Sequence, residues 1–262
     1  MRNPFGFSRT LLASLLIATL PVLVTSAQAR TLAEIKASGV LRLATSADFE
    51  PFNFMQAGVP AGFEVDLGEA VARDLGLKVV WVVRPFDGLL RDVNDKSDEI
   101  DAVLASHAIT STRAQIVDFT RPTYCTGGVI LTRKGGPVTS KALAGKNLGA
   151  EAGSTYFGFL RKLSFEKTIQ VYPNSTAALQ AVATGQVEAI ATDKFAALDA
   201  VKTFSKANLV IGETLWKEQV AIVVRKGNGE LRQALNASLK RLDLNGTHTQ
   251  LGRKYFGVDI GC

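Results

Sequence analysis

The stretch ASHAITSTRAQIVDF, from Ala105 to Phe119, decides how this chain is read. It follows a short apolar run, Ala102-Val103-Leu104, of the kind that forms a strand buried on both faces. Small and hydroxyl residues come next (Ser106, Ala108, Thr110, Ser111, Thr112), then a lone cation, Arg113. Small side chains let a bound molecule approach the main chain, where free N–H groups can point at an anion. A guanidinium matches a carboxylate in two parallel hydrogen bonds. A loop at the carboxyl end of a strand is also where open α/β sheets place ligands. The stretch therefore reads as a carboxylate-binding loop anchored by Arg113. A plainer reading pairs Arg113 with Asp118 or with solvent.

Outward from this loop, the chain resolves into two similar blocks. In the first, Thr31 to Ser38 is a helix stopped by Gly39, and Val40 to Ala44 is a strand. TSADFEPFNF, Thr45 to Phe54, reads as a loop in which Phe49 or Phe52 can stack on a ligand or plug the core. After a turn at Gly58 to Gly62 come an amphipathic helix (Phe63 to Leu75), a strand (Val79 to Val83), a helix (Leu89 to Val93) and the strand Asp101 to Leu104. That alternation predicts a parallel sheet with crossover helices. In the second block Gly127 to Thr132 is extended and Asn147 to Ala150 is a strand. EAGST, Glu151 to Thr155, then opens a helix at Tyr156, and helix N-termini favour anions. Strand Ile169 to Tyr172, a helix Thr176 to Thr184 capped by Ser175, and strand Val187 to Ala191 follow. Asp193 stands just past that strand, placed to cap helix Phe195 to Phe204 or to face a ligand. A strand at Val220 to Val224 and helices at Leu231 to Leu242 and Thr247 to Phe256 close the chain. If the two blocks face each other, Arg113 and both small-residue loops would hold a carboxylate and Asp193 an ammonium, as an α-amino acid requires.

The 262 residues are 47% apolar and 21% charged, enough for one large domain or two small ones with ample core. Residues 1–29 read as a secretory signal, with Arg2 and Arg9 ahead of an apolar run from Leu11 to Val24 and Ala27-Gln28-Ala29 as cleavage site. Its removal lowers the net charge from +6 to +4. The remaining basic residues are scattered, unlike the stripe of a nucleic-acid binder. Cys125 and Cys262 can pair outside the cytosol, or Cys125 can be buried and Cys262 a loose terminal thiol. His107 and His248 stand alone, so no metal or other cofactor is expected.

The segments GVLRLATSADFEPFNF, GFEVDLGEAVARDLGL, IDAVLASHAITSTRAQIVDFTRPTY, LAGKNLGAEAGST, ALQAVATGQVEAIATD and GELRQALNASLKRL, taken in order, resemble the family 3 extracellular solute-binding proteins, the periplasmic polar-amino-acid receptors of ABC importers. The resemblance spans Thr31 to Gly257. It implies an α/β, type II periplasmic-binding-protein fold of two lobes, 30–124 with 221–262 and 125–220, each a mixed sheet flanked by helices. Hinge strands would lie near Tyr124 to Gly127 and Lys217 to Ala221. It implies that Arg113, helped by the N–H groups of Ala108 and Thr155, grips the ligand carboxylate. Asp193 and the carbonyl of Ser106 would take the ammonium, Phe49 and Phe86 would form apolar walls, and Gly153 and Ser154 belong to the second anion loop.

Two positions depart from the family pattern: Ala108 where a Ser or Thr is usual, and Ser46 where many members have Asp. His107 and Glu151 are unusual at the pocket rim, where Glu151 would meet a cationic ligand group or stand solvated. The expected protein is a non-enzymatic, monomeric receptor in the periplasm of a Gram-negative bacterium. It would carry a polar or basic amino acid, or a close derivative, to an inner-membrane ABC permease. The alternatives are a periplasmic enzyme like the cyclohexadienyl dehydratases, with Glu151, Glu218 or His107 as acid–base group, and a sensor acting through a separate partner.

Overall fold

The computed structural model describes residues 29–96 and 98–262; the expected signal segment therefore lies, but for Ala29, outside the described residues. Helix α1 (Leu32–Ser38) is closed at its start by a capping box, in which the Thr31 hydroxyl and the Glu34 carboxylate satisfy each other's N–H groups. Strand β1 (Val40–Thr45) follows. The segment read as a loop is instead a small antiparallel sheet of β2 (Asp48–Phe49), β3 (Asn53–Gln56) and β4 (Val59–Ala61). The cause lies in its turns, which the mixed apolar and polar pattern hides: Gly62, at φ +118°, lies against the Phe52 carbonyl, where a Cβ would come within 2.4 Å of that oxygen.

Helix α2 (Phe63–Asp74), β5 (Lys78–Val83), α3 (Leu89–Asp95) and β6 (Ala102–Val103) complete the first block. Strand β1 pairs in parallel with both β5 and β6, as the strand–helix alternation predicts. A single turn of helix, α4 (Ser111–Ala114), carries Arg113.

The next strand, β7, runs from Val117 to Arg133. The second block repeats the scheme with β8 (Asn147–Glu151), α5 (Thr155–Lys162), β9 (Thr168–Tyr172), α6 (Ser175–Thr184), β10 (Ala189–Asp193) and α7 (Lys194–Thr203). Asn174, not Ser175, caps α6, its side chain accepting from the Ala177 N–H. Strand β11 (Leu209–Arg225) returns along β7, and helices α8 (Gly229–Leu244) and α9 (Thr247–Phe256) close the chain.

The strand order of the main sheet is β5-β1-β6-β11-β7-β10-β8-β9. Three parallel strands at one end (β5, β1, β6) are thus matched by three at the other (β9, β8, β10). The long antiparallel pair β7 and β11 runs between them and is shared by both. Their register shifts between Ile211 and Trp216 and again between Val220 and Val223, the latter beside Tyr124. A β-bulge or irregularity at such a place bends a ladder.

The largest core cluster reaches across the blocks. Phe52, fully buried, stacks on Tyr124 at 4.9 Å and meets Phe195 at 6.3 Å and Phe256 at 5.0 Å. Of Phe49 and Phe52, the two candidates for a ligand stack or a core plug, Phe52 is therefore core. The carboxyl tail folds back on β7: Cys125 forms a disulfide with Cys262, and its N–H donates to the Ile260 carbonyl at 2.9 Å. The open choice between a pair and a loose thiol is settled in favour of the pair.

Candidate ligand-binding cleft

The carboxyl ends of β1, β6 and β8 meet around a cavity of about 310 Å³, its mouth included. The first block contributes Ser46, Phe49, Phe86, Ser106 and Arg113; the second contributes Glu151, Ser154, Thr155 and Tyr156.

Arg113 reaches across the cleft. One guanidinium nitrogen donates to the Ala108 carbonyl of its own loop at 3.0 Å, and another to the Gly153 carbonyl of the opposite loop at 3.1 Å. Its face lies 5.7 Å from the Phe86 ring centroid. Burial holds the group below its ordinary value, while Glu218, Tyr156 and Glu151 pull the other way. The expected alternative partner, Asp118, is taken: its carboxylate accepts from Lys226 at 3.0 Å and from the Gly227 N–H.

Two main-chain segments lie beside Arg113. Ala108 bridges Val220 of β11, with bonds from Ile109 N–H to the Gln219 carbonyl and from Ala221 N–H to the His107 carbonyl. In an antiparallel bridge of this kind the central residue's own N–H points to the other side. Opposite it, Ser154 caps α5 by accepting from the Phe157 N–H, and the first N–H groups of the helix, at Thr155 and Tyr156, have no intrahelical acceptor. Gly153 sits at φ +71° in this turn, with its carbonyl held by Arg113.

Ser106 takes the left-handed conformation at φ +56°, uncommon for a residue with a side chain. Glu64 accounts for it. One carboxylate oxygen accepts from the Ser106 N–H at 2.8 Å; the other accepts from the Ser106 hydroxyl at 2.9 Å and the Asn53 amide at 2.7 Å. Asn53 in turn accepts from the Ser46 hydroxyl at 2.9 Å. Burial raises Glu64 to about 7 in spite of these donors. Sequence reasoning missed Glu64: as the second residue of an amphipathic helix it reads as solvated.

Asp193 does not line the cavity in this conformation. One of its oxygens accepts from the N–H groups of Phe195 (2.6 Å) and Ala196 (3.1 Å), so it caps α7; the other accepts from the Thr126 hydroxyl. It is 1% exposed, and burial raises it to about 6. Its charge is nonetheless felt by Tyr156 on the cavity wall.

Two further buried groups support the walls. Glu218, on β11, accepts from the Thr155 hydroxyl at 2.6 Å and the Trp216 indole at 2.5 Å. His107 stacks on Phe86 at 4.4 Å and is buried, not at the rim; burial holds it well below its ordinary value. Glu151 is likewise buried, at 7% exposed, and the solvated-rim reading fails for it. Phe49 both lines the cavity and stacks on Phe52 at 5.4 Å, so its two readings hold together. Tyr156 was not foreseen as a wall; only its place in the first turn of α5 hinted at it.

Two α/β blocks that share a pair of long crossing strands and close on a polar cleft define a bilobal binding fold. The chain belongs to the bacterial extracellular solute-binding proteins, family 3, whose family model matches residues 41–258. It is 30% identical over 231 residues to the L-cystine-binding protein TcyJ of Escherichia coli (strain K12), covering 87% of this chain and 86% of that one. Among solved structures it resembles an ancestral arginine-binding protein bound to arginine, with a TM-score of 0.79 and 36% identity, over 84% of this chain and 99% of the other. It also resembles an ancestral amino acid-binding protein described as a precursor of cyclohexadienyl dehydratase. There the TM-score is 0.78 with 29% identity, over 86% and 98% of the two chains.

Proposed function

We propose that the chain binds a free amino acid in this cleft and delivers it to the permease of an ABC importer. The observation that carries the reading is Arg113, a buried guanidinium on the cavity wall that donates to the Ala108 and Gly153 carbonyls; the main-chain N–H groups of Ala108 and Thr155 are the further donors we propose. A carboxylate entering there meets a charged fork and two further donors. Asp193 and the Ser106 carbonyl supply acceptors for the ammonium once the cleft opens and recloses around the guest. The proposed lobes are 30–124 with 221–262 and 125–220, turning about Tyr124 to Gly127 and Lys217 to Ala221. Hinge closure of this kind buries the ligand between rigid halves.

The protein acts as a receptor, without turnover. Of the groups suited to acid–base work, His107 is packed flat on Phe86 and Glu218 is engaged by Thr155 and Trp216, which leaves Glu151 without a catalytic partner. It is exported to the periplasm, with cleavage after Ala29, and works as a monomer that meets its permease transiently. The relatives' family and the name of TcyJ support the amino-acid class. A thermal-shift screen of the purified protein against the common amino acids and cystine tests the reading. At least one should raise the melting temperature by several degrees; a flat response to all of them, or turnover of prephenate or arogenate, would contradict it.

A further inference from the structure

We propose that the bound amino acid carries a cationic side chain, an ammonium or a guanidinium, seated between Glu151 and Asp48. This rests on the amino-acid reading above and narrows its substrate class.

The argument is one of charges left over. Arg113 is the only cation among the residues lining the cavity, and the ligand carboxylate claims it. Glu64 is satisfied by Ser106 and Asn53, and Glu218 by Thr155 and Trp216. Asp193 has its helix N–H groups and Thr126, and stands ready for the ammonium. Two acids remain. Glu151 lines the cavity and is more than nine-tenths buried, and among the described residues it forms no ion pair. The Ser175 N–H at the start of α6 only tempers its isolation. Asp48 has a carboxylate oxygen that is buried and without a hydrogen-bond partner.

These two acids come from opposite sides of the cleft, Asp48 from β2 and Glu151 from the end of β8. They are held near one another where the Thr176 hydroxyl of α6 donates to the Asp48 carbonyl at 3.0 Å. Burial, then Asp48, pushes Glu151 up to about 8, and Asp87 adds to it, while burial raises Asp48 above its ordinary value. Closing the cleft thus brings two like charges together with no cation between them. A cationic side chain turns that repulsion into two charged hydrogen bonds. A neutral side chain leaves both acids isolated, and an anionic one adds a third. A second zwitterionic end, as in cystine, would offer its ammonium but bring a carboxylate to the same acidic corner.

Calorimetric titration of the purified protein, refolded to remove any carried guest, compares L-arginine and L-lysine with L-citrulline, L-glutamine and L-cystine. Citrulline is the neutral isostere of arginine. Arginine or lysine should bind at least about 100-fold tighter than citrulline, and Glu151→Gln should cut that preference to about tenfold or less. Asp48→Asn carries the same expectation should Glu151→Gln fail to fold. Equal affinity for arginine and citrulline, tighter binding of cystine than of either cation, or a preference untouched by both substitutions would overturn the cation seat. Tight binding of a neutral amino acid would do so while leaving the amino-acid reading intact; silence from the whole panel would sink both.

Discussion

Arg113, Glu151, Glu64 and His107 show how much chemistry a single buried group holds. Arg113 was legible because its neighbours are small and its position follows a buried strand; neither signal needs tertiary information. Glu64 and Tyr156 were not, because each is buried by residues more than 40 positions away or by the opposite side of the cleft. The buried acids carry a pH prediction. Glu151, raised to about 8, and Glu64, raised to about 7, keep protons in the native state that the unfolded chain has already released. Native binding of more protons means stability falls as pH rises through these values. Below the ordinary histidine value the neutral, buried His107 opposes this trend, since the unfolded chain gains a proton there that the native one does not. The clean window is therefore between pH 6.5 and pH 8.5, to the order of half a unit. The melting temperature of the ligand-free protein should drop across it by on the order of 5 °C, and Glu151→Gln should remove much of the drop. A melting temperature that rises across the window would refute the buried-acid assignment.

At the scale of elements, the strand–helix alternation was readable, with ends off by a residue or two, because each element has one apolar face and a glycine or polar cap. The central strands β7 and β11 were read from the residues only in part, Gly127 to Thr132 and Val220 to Val224, with the resemblance adding Tyr124 to Gly127 and Lys217 to Ala221. Their remaining stretches pass between the blocks, so no face stays buried throughout; the run TLWKEQ from Thr214 to Gln219 reads as solvated and is not uniformly so. Gly128 in β7 is there for space: a Cβ would come within 2.6 Å of the Trp216 ring. The Cys125–Cys262 bridge ties the carboxyl tail to β7 across 137 residues of sequence. Cys262→Ser should lower stability by about 2–4 kcal/mol by freeing the unfolded chain. Its ranking of amino acids should match the wild type's, because the bridge lies outside the cavity wall. Identical melting of the variant and the oxidised wild type would mean that the bridge does not constrain the chain.

For the whole molecule, the proposed function has the two blocks move as bodies about β7 and β11. The present conformation is closed enough for Arg113 to touch Gly153 and Thr176 to touch Asp48 across the cleft. In the proposed reading a guest opens those contacts and replaces the carbonyls on Arg113 with its own carboxylate. Trp216 is placed to report this, since its ring packs on Tyr156 of the cavity wall at 5.8 Å and its indole N–H holds Glu218. Trp81, the other tryptophan, bonds to Glu69 on α2. Ligand addition should change the intrinsic fluorescence of the wild type and of Trp81→Phe, and leave Trp216→Phe nearly silent. A response that follows Trp81 instead would place the motion elsewhere.

The claim beneath all of this is that Arg113 grips the guest's α-carboxylate. Titration of the wild type and Arg113→Ala with whichever amino acid gives the largest thermal shift measures it most directly. Loss of a charged partner from a largely buried carboxylate should weaken binding by about 3–5 kcal/mol, at least a hundredfold, with the fold intact by its melting curve. An Arg113→Ala protein that binds the same amino acid as tightly as the wild type would contradict the account.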